Sequence, residues 1–166
     1  MNSSTAVFTA THASPLGPML LAASEQGLAG LWFEGQQHWP KGAAQWPADP
    51  AHALLREAAR QLDAYFSGKL LAFDLPLDVQ GATPFQRSVW NALRDIPRGA
   101  TESYGALARR IGRDAAMRAV GAAVGRNPVS IVVPCHRVLG QGGALTGYAG
   151  GLARKTALLR LEGALP

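Results

Sequence analysis

The chain holds a single cysteine, and it lies in the run Pro134-Cys135-His136-Arg137. A thiol becomes a strong nucleophile as its thiolate, and a neighbouring base or cation promotes that form. A Cys-His pair is therefore minimal equipment for attack on an electrophilic carbon. A packed, inert cysteine beside an unrelated histidine is the other reading, because free cysteines commonly serve as small hydrophobes. Neighbours on a strand point to opposite faces, so His136 can serve Cys135 only if the chain turns there or a water bridges them. The chemical reading requires a sulfur that is ionisable and reachable. One cysteine also excludes an intramolecular disulfide and a cysteine-based zinc site, and fits a reducing compartment.

The elements that must position this pair fall into two parts. Ala6 to Thr11, Met19 to Ala23 and Leu28 to Phe33 read as strands, with Glu25-Gln26-Gly27 as a turn. Gln36 to Ala48 has no period and reads as a loop. Asp49-Pro50 offers a helix start, and the stripe Leu54, Ala58, Leu62 and Tyr65 carries a helix to about Ser67, ended by Gly68. Ala72 to Val79 alternates and reads as a strand, at an edge because of Pro76. The boundary is placed at Gln80-Gly81-Ala82, giving domains 1–80 and 81–166.

Beyond it, Thr83-Pro84-Phe85-Gln86 is a capping box that opens a helix with Phe85, Val89 and Leu93 on one side. Ser103 caps a short helix from Tyr104 to Ile111, Gly112 turns the chain, and Asp114 starts a second helix to about Gly125. That order predicts a helix-turn-helix, though an ordinary αα-hairpin has the same pattern. Val129 to Val133 reads as a short strand leading into Cys135. A glycine-rich loop spans Gly140 to Gly151, and a last helix runs from Leu152 to Leu161. The fold class expected is α+β: a small N-terminal mixed domain with an antiparallel sheet and a helix, then a mostly helical C-terminal domain.

Charge divides along the same boundary. Residues 1–80 carry a balance of −3 and residues 81–166 a balance of +8. The basic half is where a polyanion would bind, and nucleic acid is the first candidate. Met1 to Ala10 lacks a basic start followed by an apolar run, and no apolar stretch is long enough to span a bilayer. A cytoplasmic protein without membrane partners is expected.

Five runs in order carry a resemblance: Ser103-Tyr104-Gly105, Arg118-Ala119-Val120-Gly121, Asn127-Pro128, Pro134-Cys135-His136-Arg137-Val138 and Gly147-Tyr148-Ala149-Gly150-Gly151. Together they resemble the methylated-DNA–protein-cysteine methyltransferases, or O6-alkylguanine-DNA alkyltransferases, in their bacterial form. The likeness is strong from Thr83 to Gly163 and looser upstream. It implies a DNA repair protein that flips an O6-alkylguanine out of double-stranded DNA. The alkyl group then passes irreversibly to Cys135; O4-alkylthymine is a further candidate substrate. It implies that His136 takes the thiol proton through a water and that Glu162 orients His136. It implies that Tyr104 donates its O–H to the guanine oxygen as charge develops there, and that Asn127 braces the turn around the cysteine.

For DNA and base contact it points to Arg118, which fills the stack, and to Ala119 among the small residues Ala115, Ala116, Ala119, Ala122 and Ala123 of the inserted helix. Tyr148, Ala149 and Gly150 lie over the flipped base, and Arg126 and Arg137 join the contact set. Some relatives carry serine at the Ala149 position. Arg94, Arg98, Arg109, Arg110 and Arg113 are further candidates for phosphate contact. Some relatives hold zinc in the N-terminal domain; the cysteines for it are missing here, so neither metal nor cofactor is expected. A monomer acting once is expected, since no second cysteine can resolve a thioether. Relatives with tryptophan in place of the cysteine bind lesions without repairing them, and Cys135 argues against that class. A non-catalytic helix-turn-helix DNA-binding protein and a cysteine hydrolase using Cys135 and His136 are the competing readings.

Overall fold

The computed structural model describes residues 6–166. The expectation about a leader at Met1 to Ala10 falls in part on residues 1–5, outside the described residues. The chain divides into two compact units, residues 1–80 and Gly81–Pro166, and each is described by itself.

In the first unit β1 (Phe8–Ser14), β2 (Gly17–Ala23) and β3 (Leu28–Phe33) form an antiparallel sheet in the order β1-β2-β3. Met19, Leu21 and Ala23 of β2 alternate onto the buried face, as a half-buried strand requires. The helix α1 (Ala53–Phe66) buries Leu55, Ala58, Leu62 and Tyr65. It begins later than Asp49-Pro50 suggests, because the His52 ring takes the capping role, accepting from the Leu54 amide at 3.2 Å. The Asp49 amide instead donates to the Thr9 carbonyl.

The strand expected over Ala72 to Val79 does not form. A single parallel bridge, Leu28 with Leu77, is what remains. The Leu28 amide donates to the Pro76 carbonyl and the Asp78 amide to the Leu28 carbonyl, and Pro76 itself has no N–H to extend the ladder. The Gln61 side chain, bonded to both the amide and the carbonyl of Asp74, pins the segment to α1.

In the second unit α2 (Pro84–Leu93) opens on the expected capping box, with both reciprocal bonds of Thr83 and Gln86 present. Val89, Trp90, Ala92 and Leu93 turn inward, whereas Phe85 is half-buried beneath the Arg113 guanidinium, 5.7 Å from the ring centre. The Trp90 indole donates to the Ala123 carbonyl at 2.8 Å and ties α2 to the segment that carries Ala123. A two-residue strand β4 (Glu102–Ser103) leads directly into α3 (Tyr104–Arg110), which the Ser103 hydroxyl caps.

Gly112, at a φ of 72° that favours glycine, reverses the chain between α3 and α4 (Met117–Gly125). Two helices joined by a short turn result, an order that a helix-turn-helix shares with an ordinary αα-hairpin. Asp114 does not cap α4: residues 114–116 make one 3₁₀ turn, and α4 starts at Met117 without a side-chain cap. After α4 the chain passes through the site to β5 (Val138–Leu139), which pairs in parallel with β4. The last helix is α5 (Leu152–Leu161). Among the described residues, no helix is long and apolar enough to cross a membrane.

Candidate active site

Three carriers converge in the second unit: the segment from Asn127 to Leu139, the start of α3 and one face of α5. Val129 to Val133 is buried but is not a strand. It folds back on itself, with the Val133 amide donating to the Val129 carbonyl, and Ile131 takes a φ of 71°. That conformation is strained for a β-branched residue and costs about 1–3 kcal/mol.

Asn127 holds this loop from within. Its amide donates to the Val133 carbonyl at 2.7 Å and, more weakly, to that of Val129 at 3.4 Å. Its side-chain oxygen accepts from the Val129 amide at 2.9 Å. These bonds satisfy backbone groups that no sheet ladder serves, so the expected bracing role has a visible basis.

Cys135 begins a single 3₁₀ turn, Cys135–Arg137. The turn removes the opposite-face problem that a strand would pose for Cys135 and His136. Cys135 is 6% exposed. Burial pushes its thiol up from the ordinary range, while the Asn127 amide and the Lys155 charge pull the other way. At neutral pH the resting sulfur is therefore a thiol that needs a base.

His136 is fully buried beside it. Its Nε2 lies 2.7 Å from the Glu162 carboxylate, and its Nδ1 has no hydrogen-bonding partner among the described residues. Burial lowers its pKa more than Glu162 raises it, so the imidazole is neutral. With Nε2 facing a carboxylate, the proton belongs on Nε2, which leaves the Nδ1 lone pair available to accept. Glu162 is buried at the end of α5, and Arg137 also donates to both of its oxygens, at 2.8 and 2.9 Å.

The pairing of β4 with β5, Glu102 beside Val138 and Ser103 beside Leu139, brings Tyr104 to the cysteine's side of the unit. Burial raises the Tyr104 phenol, and a neighbouring Cys135 charge raises it further, which keeps it a donor. Tyr104 lines a cavity of about 720 Å³ together with Ser103, Gly105, Met117, Arg118 and Gly147. Cys135 is not part of that wall. Gly147, at a φ of 54°, lies beside Tyr104, where a Cβ would be in ordinary contact with the hydroxyl at 3.8 Å.

Lys155 was not singled out from the sequence. It is fully buried on α5, and its ammonium donates to the carbonyls of Val138, Thr146 and Gly147 at 2.6, 2.9 and 3.1 Å. It also sits 6.0 Å over the Tyr104 ring. Burial lowers its pKa to about 8. It thereby locks the glycine-rich loop to β5. A signal existed: Lys155, Leu158, Leu159 and Glu162 share one helical face, at the spacing that marks a buried stripe.

Comparison with known proteins settles the kinship. Residues 84–164 match the family model described as 6-O-methylguanine DNA methyltransferase, DNA binding domain, and residues 7–79 match its ribonuclease-like domain. The chain belongs to the 6-O-methylguanine DNA methyltransferase family. A methylated-DNA–protein-cysteine methyltransferase from Methanosarcina acetivorans is 49% identical, covering 95% of this chain and 99% of that one. The crystal structure of the Mycobacterium tuberculosis O6-methylguanine methyltransferase superposes with a TM-score of 0.86 at 47% identity, over 95% of this chain and 93% of that one. The crystal structure of M. tuberculosis OGT in complex with DNA gives 0.84 at 47% identity, over 95% of this chain and 92% of that one.

For this methyltransferase-family chain the expected residues sort by place. Cys135, His136, Glu162, Asn127 and Tyr104 are gathered around the 3₁₀ turn. Arg118 and Ala119 are exposed on α4, and Arg118 lines the cavity; Ala115 and Ala122 are exposed too, but Ala123 is buried. Tyr148, Ala149 and Gly150 are half-buried, and their loop contributes Gln141, Thr146 and Gly147 to the cavity wall.

Arg137 requires correction. Its guanidinium points inward, held by Glu162 and by the Ile96 carbonyl at 2.6 Å, so it is buried rather than presented at the surface. Arg110 is taken up by Glu102, Asp95 and the Ala92 carbonyl, and Arg98 donates to the Leu161 carbonyl. Arg94, Arg109, Arg113 and Arg126 remain exposed. No cluster of three metal-ligating side chains occurs among the described residues.

Proposed function

We propose that this chain repairs DNA by moving the alkyl group of an O6-alkylguanine, everted from a duplex, onto Cys135. The observation that carries this reading is the buried relay: a thiol beside a neutral imidazole whose Nε2 is fixed on Glu162 and whose Nδ1 has no partner among the described residues. A buried, unpaired ring nitrogen is costly unless water or substrate chemistry uses it. A water between Nδ1 and the sulfur would carry the thiol proton to His136. The sulfur then forms its bond to the alkyl carbon as the carbon–O6 bond breaks, and the electron pair leaves with the guanine. The Tyr104 phenol donates to the departing base.

Arg118, Ala119 and the rest of the exposed face of α4 enter the minor groove, with Arg118 filling the space of the extruded base. Tyr148, Ala149 and Gly150 cover the base. Arg94, Arg109, Arg113 and Arg126 hold phosphates, which makes binding salt-dependent and largely independent of sequence. In this reading residues 81–166 carry binding and transfer, residues 1–80 give support, and the protein acts as a monomer inside the cell. The M. tuberculosis relative's complex with DNA supports the partner class. A DNA-binding protein without chemistry would leave the buried Cys135–His136–Glu162 network without use.

The product is a thioether on the only cysteine of the chain, and nothing in the sequence can resolve it. Each molecule therefore reacts once. The test is the loss of O6-methylguanine from a duplex oligonucleotide. Wild-type protein should remove one lesion per molecule and then stop. Cys135→Ala should remove none while binding the duplex equally. Repeated turnover, or repair by Cys135→Ala, would overturn the proposal.

A further inference from the structure

We infer that Arg137 is a positioning residue for the transfer step: it holds the Glu162 carboxylate in place and in its charged form, and so fixes His136 as the neutral tautomer with its proton on Nε2. The inference rests on the alkyl-transfer reading and deepens it.

Arg137 shares the 3₁₀ turn with Cys135 and His136, yet its side chain leaves them and runs to the far side of the carboxylate. Nε donates to one carboxylate oxygen of Glu162 and an Nη to the other, a two-point grip that sets the plane of the group. The second Nη donates to the Ile96 carbonyl, in the connection after α2, which anchors the guanidinium independently of α5. The Glu162 oxygen that faces His136 is thus gripped from behind at 2.9 Å and meets Nε2 at 2.7 Å.

Without the guanidinium, a fully buried carboxylate next to a buried imidazole has two poor options. It can take up a proton itself, or it can draw a second proton onto the histidine. The first loses the acceptor that keeps the proton on Nε2. The second fills Nδ1, the atom that must receive the thiol proton. Arg137 opposes both, since its charge favours the anion and disfavours a cationic His136. The charged and titratable groups bearing on His136 are Glu162, Arg137 and Lys155, with the Cys135 thiol adjacent in the chain. Lys155 is spent on the carbonyls of Val138, Thr146 and Gly147, whereas Arg137 grips both oxygens of the carboxylate.

The experiment is nitrogen-15 NMR of histidine-labelled protein, with His136 assigned by His136→Gln, together with single-turnover transfer across pH. Wild type should show Nε2 protonated and Nδ1 bare through neutral pH. Arg137→Gln should show a doubly protonated or mixed His136 at pH values where wild type is neutral. Its pH–rate midpoint should move upward, and transfer near neutrality should fall roughly 10- to 100-fold, by analogy with the loss of an outer partner of a metal-bound histidine. Arg137→Lys, which keeps the charge but not the two-point grip, should recover part of the rate and of the tautomer.

An unchanged His136 spectrum and midpoint in folded Arg137→Gln would overturn the inference. If neither variant folds, the wild-type spectrum still decides it, because a proton on Nδ1 contradicts it outright. Should the wild-type tautomer be as stated while Cys135 never gains an alkyl group, the positioning would stand and the functional reading would fall.

Discussion

Replacing Asn127 with alanine removes three hydrogen bonds from the loop that presents Cys135, two of them short. The Val129 amide is left in a buried segment without a partner, and the Val133 carbonyl keeps only the bond from the Cys135 amide. An orphaned buried amide costs about 1–3 kcal/mol and a lost hydrogen bond about 1 kcal/mol. Together the loss should be about 3 kcal/mol. With a urea dependence of about 2 kcal/mol per molar, the unfolding midpoint should drop by about 1.5 M. Among the described residues the strained Ile131 conformation has no other side-chain brace of this kind, so the loss should be local as well as global, with faster hydrogen exchange at Val129 first. The thiol should suffer too, since the Asn127 amide favours its charged form. Transfer should slow even at urea-free conditions where the variant is folded. The assay is urea unfolding followed by tryptophan fluorescence, paired with single-turnover transfer. A midpoint within about 0.25 M of wild type would refute the bracing argument, because an orphaned buried amide and a lost hydrogen bond together cost more than that.

Further expectations can be measured on the same material. Tyr104→Phe should lower the transfer rate about 10²-fold, the scale of one lost donor to developing charge, with duplex affinity unchanged; equal rates would remove Tyr104 from that role. Arg118→Ala should slow transfer from duplex DNA by roughly tenfold while leaving the rate on a free O6-alkylguanine base untouched, since only base eversion depends on it. Because burial lowers the His136 pKa, folding stability is present above the unfolded histidine value of about 6.5 and is lost as pH falls through the lower folded value. Transfer should hold its rate at pH 6, where an ordinary histidine would already be mostly charged, and a half-loss at about 6.5 would contradict the neutral-imidazole account.

Much of the frame was legible because its signals are local. Thr83 and Gln86 write a capping box that forms as spelled, Ser103 caps α3, and the three strands of the first unit follow alternation and turn residues. The failures are of two kinds. Ala72 to Val79 and Val129 to Val133 have strand composition but no partner edge: one meets Leu28 at a single bridge beside Pro76, the other is closed on itself by Asn127. Composition cannot report a missing partner.

The buried cations are the other kind. Arg137 and Lys155 look like surface charge in a basic half-chain, and the count of +8 over residues 81–166 includes both. Their partners are a carboxylate 25 residues away and carbonyls on two other segments. Only the fold reveals that these charges face inward. The resemblance to the family located Cys135, His136, Glu162, Tyr104 and Asn127, which spacing alone could not have joined.

The most direct measurement is the mass of the peptide containing Cys135 after the folded protein meets a duplex carrying O6-methylguanine. A gain of one methyl group on that cysteine, and on no other residue, is the predicted result. An unmodified Cys135 after complete incubation, with the lesion still in the DNA, would contradict the account.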